Sequence, residues 1–252
     1  MPESLMQKPM VYGNRARLGV IVPPTNTANE AEWQALAPEG VTIHSARMPL
    51  HTSTQTEEGL ANLRADIVKH AHDLIQANVD VVAYGCTAGS MVTPVDSLPD
   101  FISDRCERKA LTTAQAIVKA LTALSVKRVA VGTPYHDTLN EHEREFLITN
   151  SFEVVSLHGL GYGENGVDEF RNIARIDSTK VVALAEQINT DSADAILLSC
   201  TDLATLSLIP ELEARFGKPV ISSNSATFWL ALRLAGITDR VPLAGRLFEK
   251  QL

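Results

Sequence analysis

The sequence predicts an α/β protein made of two duplicated halves. Each half is a doubly wound parallel sheet, the two are related by a pseudo-twofold axis, and the active site falls in the cleft between them. Three observations carry this. Apolar, β-branched runs of strand length alternate with helix-length segments, the order that a parallel sheet with crossover helices requires. Two of these runs end alike, as Val-Val-Ala-Tyr-Gly-Cys86-Thr87 and Ile-Leu-Leu-Ser-Cys200-Thr201, each preceded by an aspartate, Asp80 and Asp194. Three segment pairs also match in one order at nearly one spacing. RLGVIVPPTNTANE from Arg17 aligns with RVAVGTPYHDTLNE from Arg128, 111 residues on, and the two cysteines are 114 apart. TTAQAIVKALTAL from Thr112 aligns with SSNSATFWLALRL from Ser222, 110 apart. One such match is within chance for a chain rich in Ala, Val and Leu, but three at one offset indicate an internal duplication.

Taken in order, residues 1 to about 15 mix Met, Pro and polar residues without period and read as an irregular lead-in. Leu18 to Val22 is a strand running into Pro23-Pro24-Thr25-Asn26-Thr27, the kind of strand-to-loop junction where open α/β sheets place ligand groups. Val41 to Met48 is a second strand, followed by the polar loop PLHTSTQTEE, which can border a pocket, and by a helix from Leu60 to Ala77. Val79 to Tyr84 is the strand that carries Cys86, and Ala110 to Thr113 a short fourth strand before a helix from Ala114 to Leu124. The second half repeats this with strands at Arg128 to Thr133, Glu153 to Leu157, Ala195 to Ser199 and Pro219 to Ser222. A final helix from Ala226 to Leu234 is expected to cross back. The first half is therefore assigned to residues 13–112 plus 228–252, and the second to 113–227.

Composition bounds the function. The net charge of −8 argues against nucleic acid, because phosphate binding needs clustered Lys and Arg. No apolar run approaches the roughly 20 residues that cross a bilayer, and the start has no signal-peptide core, so no membrane partner and a cytoplasmic location are expected. The three cysteines, Cys86, Cys106 and Cys200, form neither a disulfide framework nor a zinc pattern. No GxGxxG or P-loop occurs in strand-to-helix context. No metal and no nucleotide cofactor are expected.

Two flavodoxin-like halves would present the carboxyl ends of their strands to one cleft, and both Cys86 and Cys200 sit at such ends. A buried cysteine is ordinarily a small hydrophobe. Two at equivalent places in a duplicated fold point instead to chemistry across a shared pocket. Each precedes a threonine and an expected helix start, where free backbone N–H groups and the helix dipole favour a thiolate, with Thr87 and Thr201 as caps. Cys106, in a charged segment, is structural. His70 and His72 are two apart and cannot chelate from one helix face, so they are solvated. His136 follows Tyr135 within reach of the cleft, though a lone turn histidine is more often a satisfied surface group, and His44 and His51 have no carboxylate partner at ligand spacing.

The paired cysteines, the VPPTNT and TPYHD turns and GKPVISSNSATFWLALRLAG resemble the aspartate/glutamate racemase superfamily, in its branch of maleate cis-trans isomerases and arylmalonate decarboxylases. The similarity spans Arg17 to Phe248. The resemblance implies a cofactor-independent enzyme acting on a small carboxylate between two opposed positions, and subunits that commonly pair as a homo-oligomer. It implies Cys86 as nucleophile and Cys200 as proton donor and acceptor. Decarboxylases of the branch have glycine in place of the first cysteine, so the presence of Cys86 favours the isomerase. Asn26 and Tyr135 match carboxylate-binding residues, Asn165 in GYGENG matches a second-half asparagine more loosely, and Thr87 and Thr201 would complete carboxylate or oxyanion cradles. The small residues after each cysteine suit a racemase equally, with both thiols acting as bases on one α-carbon.

Overall fold

The computed structural model describes residues 10–51, 53–54 and 56–252. Residues 1–9 of the expected lead-in, and Thr52 and Gln55 of the polar loop, lie outside the described residues; residues 10–15 form no helix or strand.

The first sheet contains β1 (Ala16–Val22), β2 (Val41–Arg47), β3 (Val81–Tyr84) and β4 (Lys109–Thr112), in the order β2-β1-β3-β4. The second contains β5 (Arg128–Tyr135), β6 (Glu153–Tyr162), β7 (Ala195–Leu198) and β8 (Val220–Ser222), in the equivalent order β6-β5-β7-β8. All neighbouring strands are parallel. The flanking helices are α1 (Asn29–Leu36), α2 (Glu57–Gln76), α3 (Thr87–Ser90), α4 (Ser97–Cys106), α5 (Thr113–Ala123), α6 (Asp137–Thr149), α7 (Ser178–Ile188), α8 (Ile209–Phe216) and α9 (Ser223–Leu234).

The duplication extends to individual hydrogen bonds. Asp80 accepts the Arg17 backbone N–H at 2.7 Å and pairs with its guanidinium at 3.2 Å. Asp194 does the same for Arg128 at 2.8 Å and 2.8 Å. Each aspartate thus locks the start of the central strand of its sheet to the start of the cysteine-bearing strand.

Several elements depart from their expected bounds, β6 most of all by running to Tyr162 instead of ending at Leu157, and three of the departures have a clear local reason. The α2 helix starts at Glu57 because the Thr56 hydroxyl caps it by accepting the Gly59 N–H, with two glutamates in the first turn to complement the dipole. The α9 helix starts at Ser223 because Ser222 and Ser225 form a reciprocal capping box. Strand β5 runs on to Tyr135, with its register against β6 shifting between Thr133 and Tyr135. Pro134 occupies that irregularity, where its missing N–H removes no ladder bond.

Helix α9 is buried on almost every side because it packs on β3 and β4 of the first sheet and against α1 and α5. It is the expected crossing-back element, and the assigned boundary between 227 and 228 falls inside it. One apolar core spans both halves, with Trp33 and Phe228 rings 5.1 Å apart at its centre. Glu32 of α1 ties the halves together across this core. It accepts the Thr205 and Leu206 backbone N–H groups at 2.6 and 2.7 Å and the Asn224 amide at 2.7 Å. Three charge-assisted bonds to one buried carboxylate hold the halves together at this point.

Candidate active site

The carboxyl ends of β1, β3, β5 and β7 meet at one cavity of about 370 Å³, and its walls include Asn26, Cys86, Thr87, Tyr135, Cys200 and Thr201. Six of the seven residues singled out by the sequence are thus brought together. Both thiols are free and buried.

The two sulfurs have matched surroundings. The Gly89 backbone N–H and the Tyr84 hydroxyl lie near Cys86, and Cys200 receives the Asp202 backbone N–H at 3.3 Å with the Tyr135 hydroxyl nearby. Side chains two apart on a strand share a face, which puts Tyr84 beside Cys86. A side chain at Gly89 would meet the Tyr84 hydroxyl at 2.5 Å and the Cys86 sulfur at 3.1 Å, so only glycine leaves room for both.

Burial favours the neutral form of both thiols, contrary to the expected thiolates. Burial raises Cys86 above its ordinary value and pushes Cys200 up to about 12. The helix dipole offers little against this. Helix α3 is a single turn, and Cys200 opens into a turn rather than a helix. The reason is Asp202, whose carboxylate reaches across to the Thr27 N–H of the other half at 2.9 Å and so bends the chain away. Thr87 and Thr201 cap nothing. The Thr87 hydroxyl donates to Ser223 at 2.9 Å. Thr201 donates to the Gly85 carbonyl at 3.2 Å and accepts the Asn26 amide at 3.1 Å. The Asn26 carbonyl oxygen accepts the Ala28 and Asn29 N–H groups, which fixes the rotamer and aims the amide at the cleft.

Tyr84 and Tyr135 both stay protonated, because burial and the neighbouring sulfurs push their hydroxyls well above the usual range. Each is therefore a hydrogen-bond donor to a sulfur that gains negative charge.

Asn165 does not join the site. It is exposed, and its amide donates to Glu169 at 3.0 Å, while Gly163 and Gly166 on either side line the cavity. The Glu169 carboxylate holds this turn through the Gly163 and Asn165 N–H groups and claims the side chain. His51 and His136 were read as bland and both line the cavity. His51 does have a carboxylate partner, Asp66, 2.9 Å away. His70 is half-buried, its ring against the Asp66 carbonyl, rather than solvated. Cys106 lies at the end of α4, away from the cavity. Among the described residues no group of three or more His, Cys, Asp or Glu is placed to hold a metal ion, and no helix is long and apolar enough to cross a membrane.

Glu143 of α6 is a feature that sequence reasoning missed. Its carboxyl is fully buried behind Tyr135, and burial pushes it up to about 8, offset in part by Ser199. The carboxyl oxygens and the Ser199 hydroxyl are nonetheless outside normal hydrogen-bond geometry. A carboxyl raised by folding is protonated in the native chain and ionises more readily when unfolded. Its contribution to stability is complete below about pH 4.5 and is lost as pH rises toward about 8. Glu143→Gln is expected to abolish that loss, giving a higher Tm than wild type at pH 8 and a similar one at pH 4.5. Equal Tm values at both pH values would contradict the assignment.

Two opposed thiols, each with a tyrosine hydroxyl and a backbone N–H, in a cleft between duplicated α/β halves, define a thiol-dependent enzyme of nucleophilic or acid–base type. The chain belongs to the arylmalonate decarboxylase family, whose sequence model matches residues 18–248. It is 35% identical to the arylmalonate decarboxylase of Bordetella bronchiseptica, over 96% of this chain and 100% of that one. It is 30% identical to the maleate isomerase of Pseudomonas putida, over 92% and 97% of the two chains. Its structure superposes with a TM-score of 0.82, at 28% identity over 92% of this chain and 98% of the other, on a cysteine-to-serine variant of Nocardia farcinica maleate cis-trans isomerase bearing a covalently bound succinylcysteine intermediate.

Proposed function

We propose that this protein is a two-cysteine cis-trans isomerase of a small unsaturated carboxylate, of the maleate-to-fumarate type. The observation that carries the reading is the presence of both Cys86 and Cys200 on one cavity. The succinylcysteine intermediate of the Nocardia relative supports the chemistry.

In this reading the Cys86 thiol releases its proton to solvent as substrate binds, and the thiolate adds to one alkene carbon while the π pair moves to the other, where the adjacent carboxylate spreads the charge. The Cys200 thiol then protonates that carbon, leaving a succinyl thioether with a freely rotating single bond. After rotation the Cys200 thiolate takes the proton back, the C–S bond breaks, and the trans alkene leaves with the Cys86 thiolate restored. The difference between the two thiols suits these roles. Cys200, pushed up to about 12, holds its proton until a strong carbon base appears. Asn26, Tyr135, Thr87 and Thr201 supply carboxylate and oxyanion contacts. The two α/β halves behind the cleft are 13–112 with 228–252, and 113–227, the last boundary falling within α9.

A second reading, decarboxylation of an aryl diacid, is favoured by the apolar wall of Leu139, Val167, Phe170 and Ile173, broader than a four-carbon diacid fills. A panel in deuterium oxide followed by proton NMR separates the cases. Maleate is expected to become fumarate, and recovered alkene need carry no label. If maleate is untouched while phenylmalonate loses carbon dioxide, or an amino acid racemises with deuterium at its α-carbon, the isomerase reading is wrong.

A further inference from the structure

The cavity is built for an anion, yet among the described residues no lysine or arginine lines it. The side chains on its walls that can carry positive charge are histidines. His136 and His142 come from the second half, the side of Tyr135, and His51 comes from the first, next to Leu50 and Thr54 in the loop after β2. His51 is set apart by its partner. Its Nε2 lies 2.9 Å from the Asp66 carboxylate on α2, with the imidazole mostly buried at 15% exposure. A carboxylate at Nε2 fixes the ring's orientation and tautomer and leaves Nδ1 as the edge available to a ligand. An imidazole protonated on both nitrogens donates from each, Nε2 to one carboxylate and Nδ1 to another.

We infer that His51, oriented by Asp66, is the contact for the second carboxylate of the substrate, so that the site selects diacids over monoacids. The inference rests on the proposed isomerase reading for its substrate. Asp66 is a positioning residue here and His51 a binding residue. The first carboxylate is left to Tyr135, Asn26 and the backbone donors near the sulfurs.

The test is a cycle between protein and ligand. Binding of maleate and of its monomethyl ester is measured by calorimetry in the Cys86→Ser background, with His51, His51→Gln and Asp66→Asn, each checked by circular dichroism. A charge-assisted hydrogen bond predicts that His51→Gln weakens maleate about tenfold or more and leaves the monoester nearly unchanged, with Asp66→Asn shifting maleate in the same direction by less. In the otherwise wild-type enzyme His51→Gln should raise KM for maleate with little change in kcat. Equal losses for diacid and monoester, or no loss for either, would overturn the inference. Should maleate not bind to the parent protein, the isomerase reading falls by itself. The same cycle run with phenylmalonate and its monoester then decides the role of His51 by the same two outcomes.

Discussion

Cys86→Ser and Cys200→Ser are each expected to lower kcat by about a thousandfold or more while leaving the circular dichroism spectrum near native. A serine hydroxyl is far less acidic than a thiol and a much poorer nucleophile toward an alkene carbon, so the Cys86 variant loses the adduct. The Cys200 variant forms the adduct but loses the matched proton transfer. Serine is close in volume to cysteine, and each sulfur already sits among donors, Gly89 N–H and Tyr84 for Cys86, Asp202 N–H and Tyr135 for Cys200. The fold therefore accommodates the change. The double variant should be little worse than the poorer single one, because the two thiols act as one unit. Cys106→Ser, at the buried end of α4, is the control and should turn over near the wild-type rate. Normal turnover in Cys86→Ser would reassign the site to single-thiol chemistry.

Tyr135→Phe is expected to give the next largest loss, roughly one hundredfold in kcat/KM, from removal of a buried hydroxyl that serves a charged partner. The Tyr135 hydroxyl lies near Cys200, whose sulfur would become a thiolate midway through the proposed cycle, and the residue lines the cavity. Losing the hydroxyl leaves that charge in a buried site with one backbone donor. Asn26→Ala should cost less in chemistry and more in loop order, since the Asn26 side chain also holds the start of α1 through Ala28 and Asn29. Steady-state kinetics with circular dichroism distinguish the two. Unchanged kinetics in Tyr135→Phe would take it out of the site.

The strands and the thiol pair were legible because their signals are local and repeated. A β-branched run that stops at Cys-Thr reads the same way in both halves, and the Arg17 and Arg128 segments confirm the register. Tyr84 was also within reach, as a polar aromatic two residues before Cys86 on a strand. The remainder depends on contacts between distant segments. Asn26 meets Thr201 and Thr27 meets Asp202 across 175 residues of chain, and this bridge turns the expected helix after Cys200 into a bend. Nothing near position 200 announces it. Likewise His51 finds Asp66 only because α2 folds back along the loop that precedes it. Glu143 reads as one more charge in the acidic segment EHERE until α6 packs on β5 and β6 and buries it. Asn165 fails for the opposite reason: Glu169, four residues on, satisfies it locally.

The assignment of Cys86 as nucleophile and Cys200 as acid is tested most directly by intact-protein mass spectrometry of the Cys200→Ser variant incubated with maleate. Addition across a double bond expels nothing, so the protein should gain the full mass of maleic acid, and peptide mapping should place the adduct on Cys86. The Cys86→Ser variant should gain none. An adduct carried by Cys200 in the Cys86→Ser protein, or no adduct in either variant under conditions where the wild type converts maleate, would contradict the assignment.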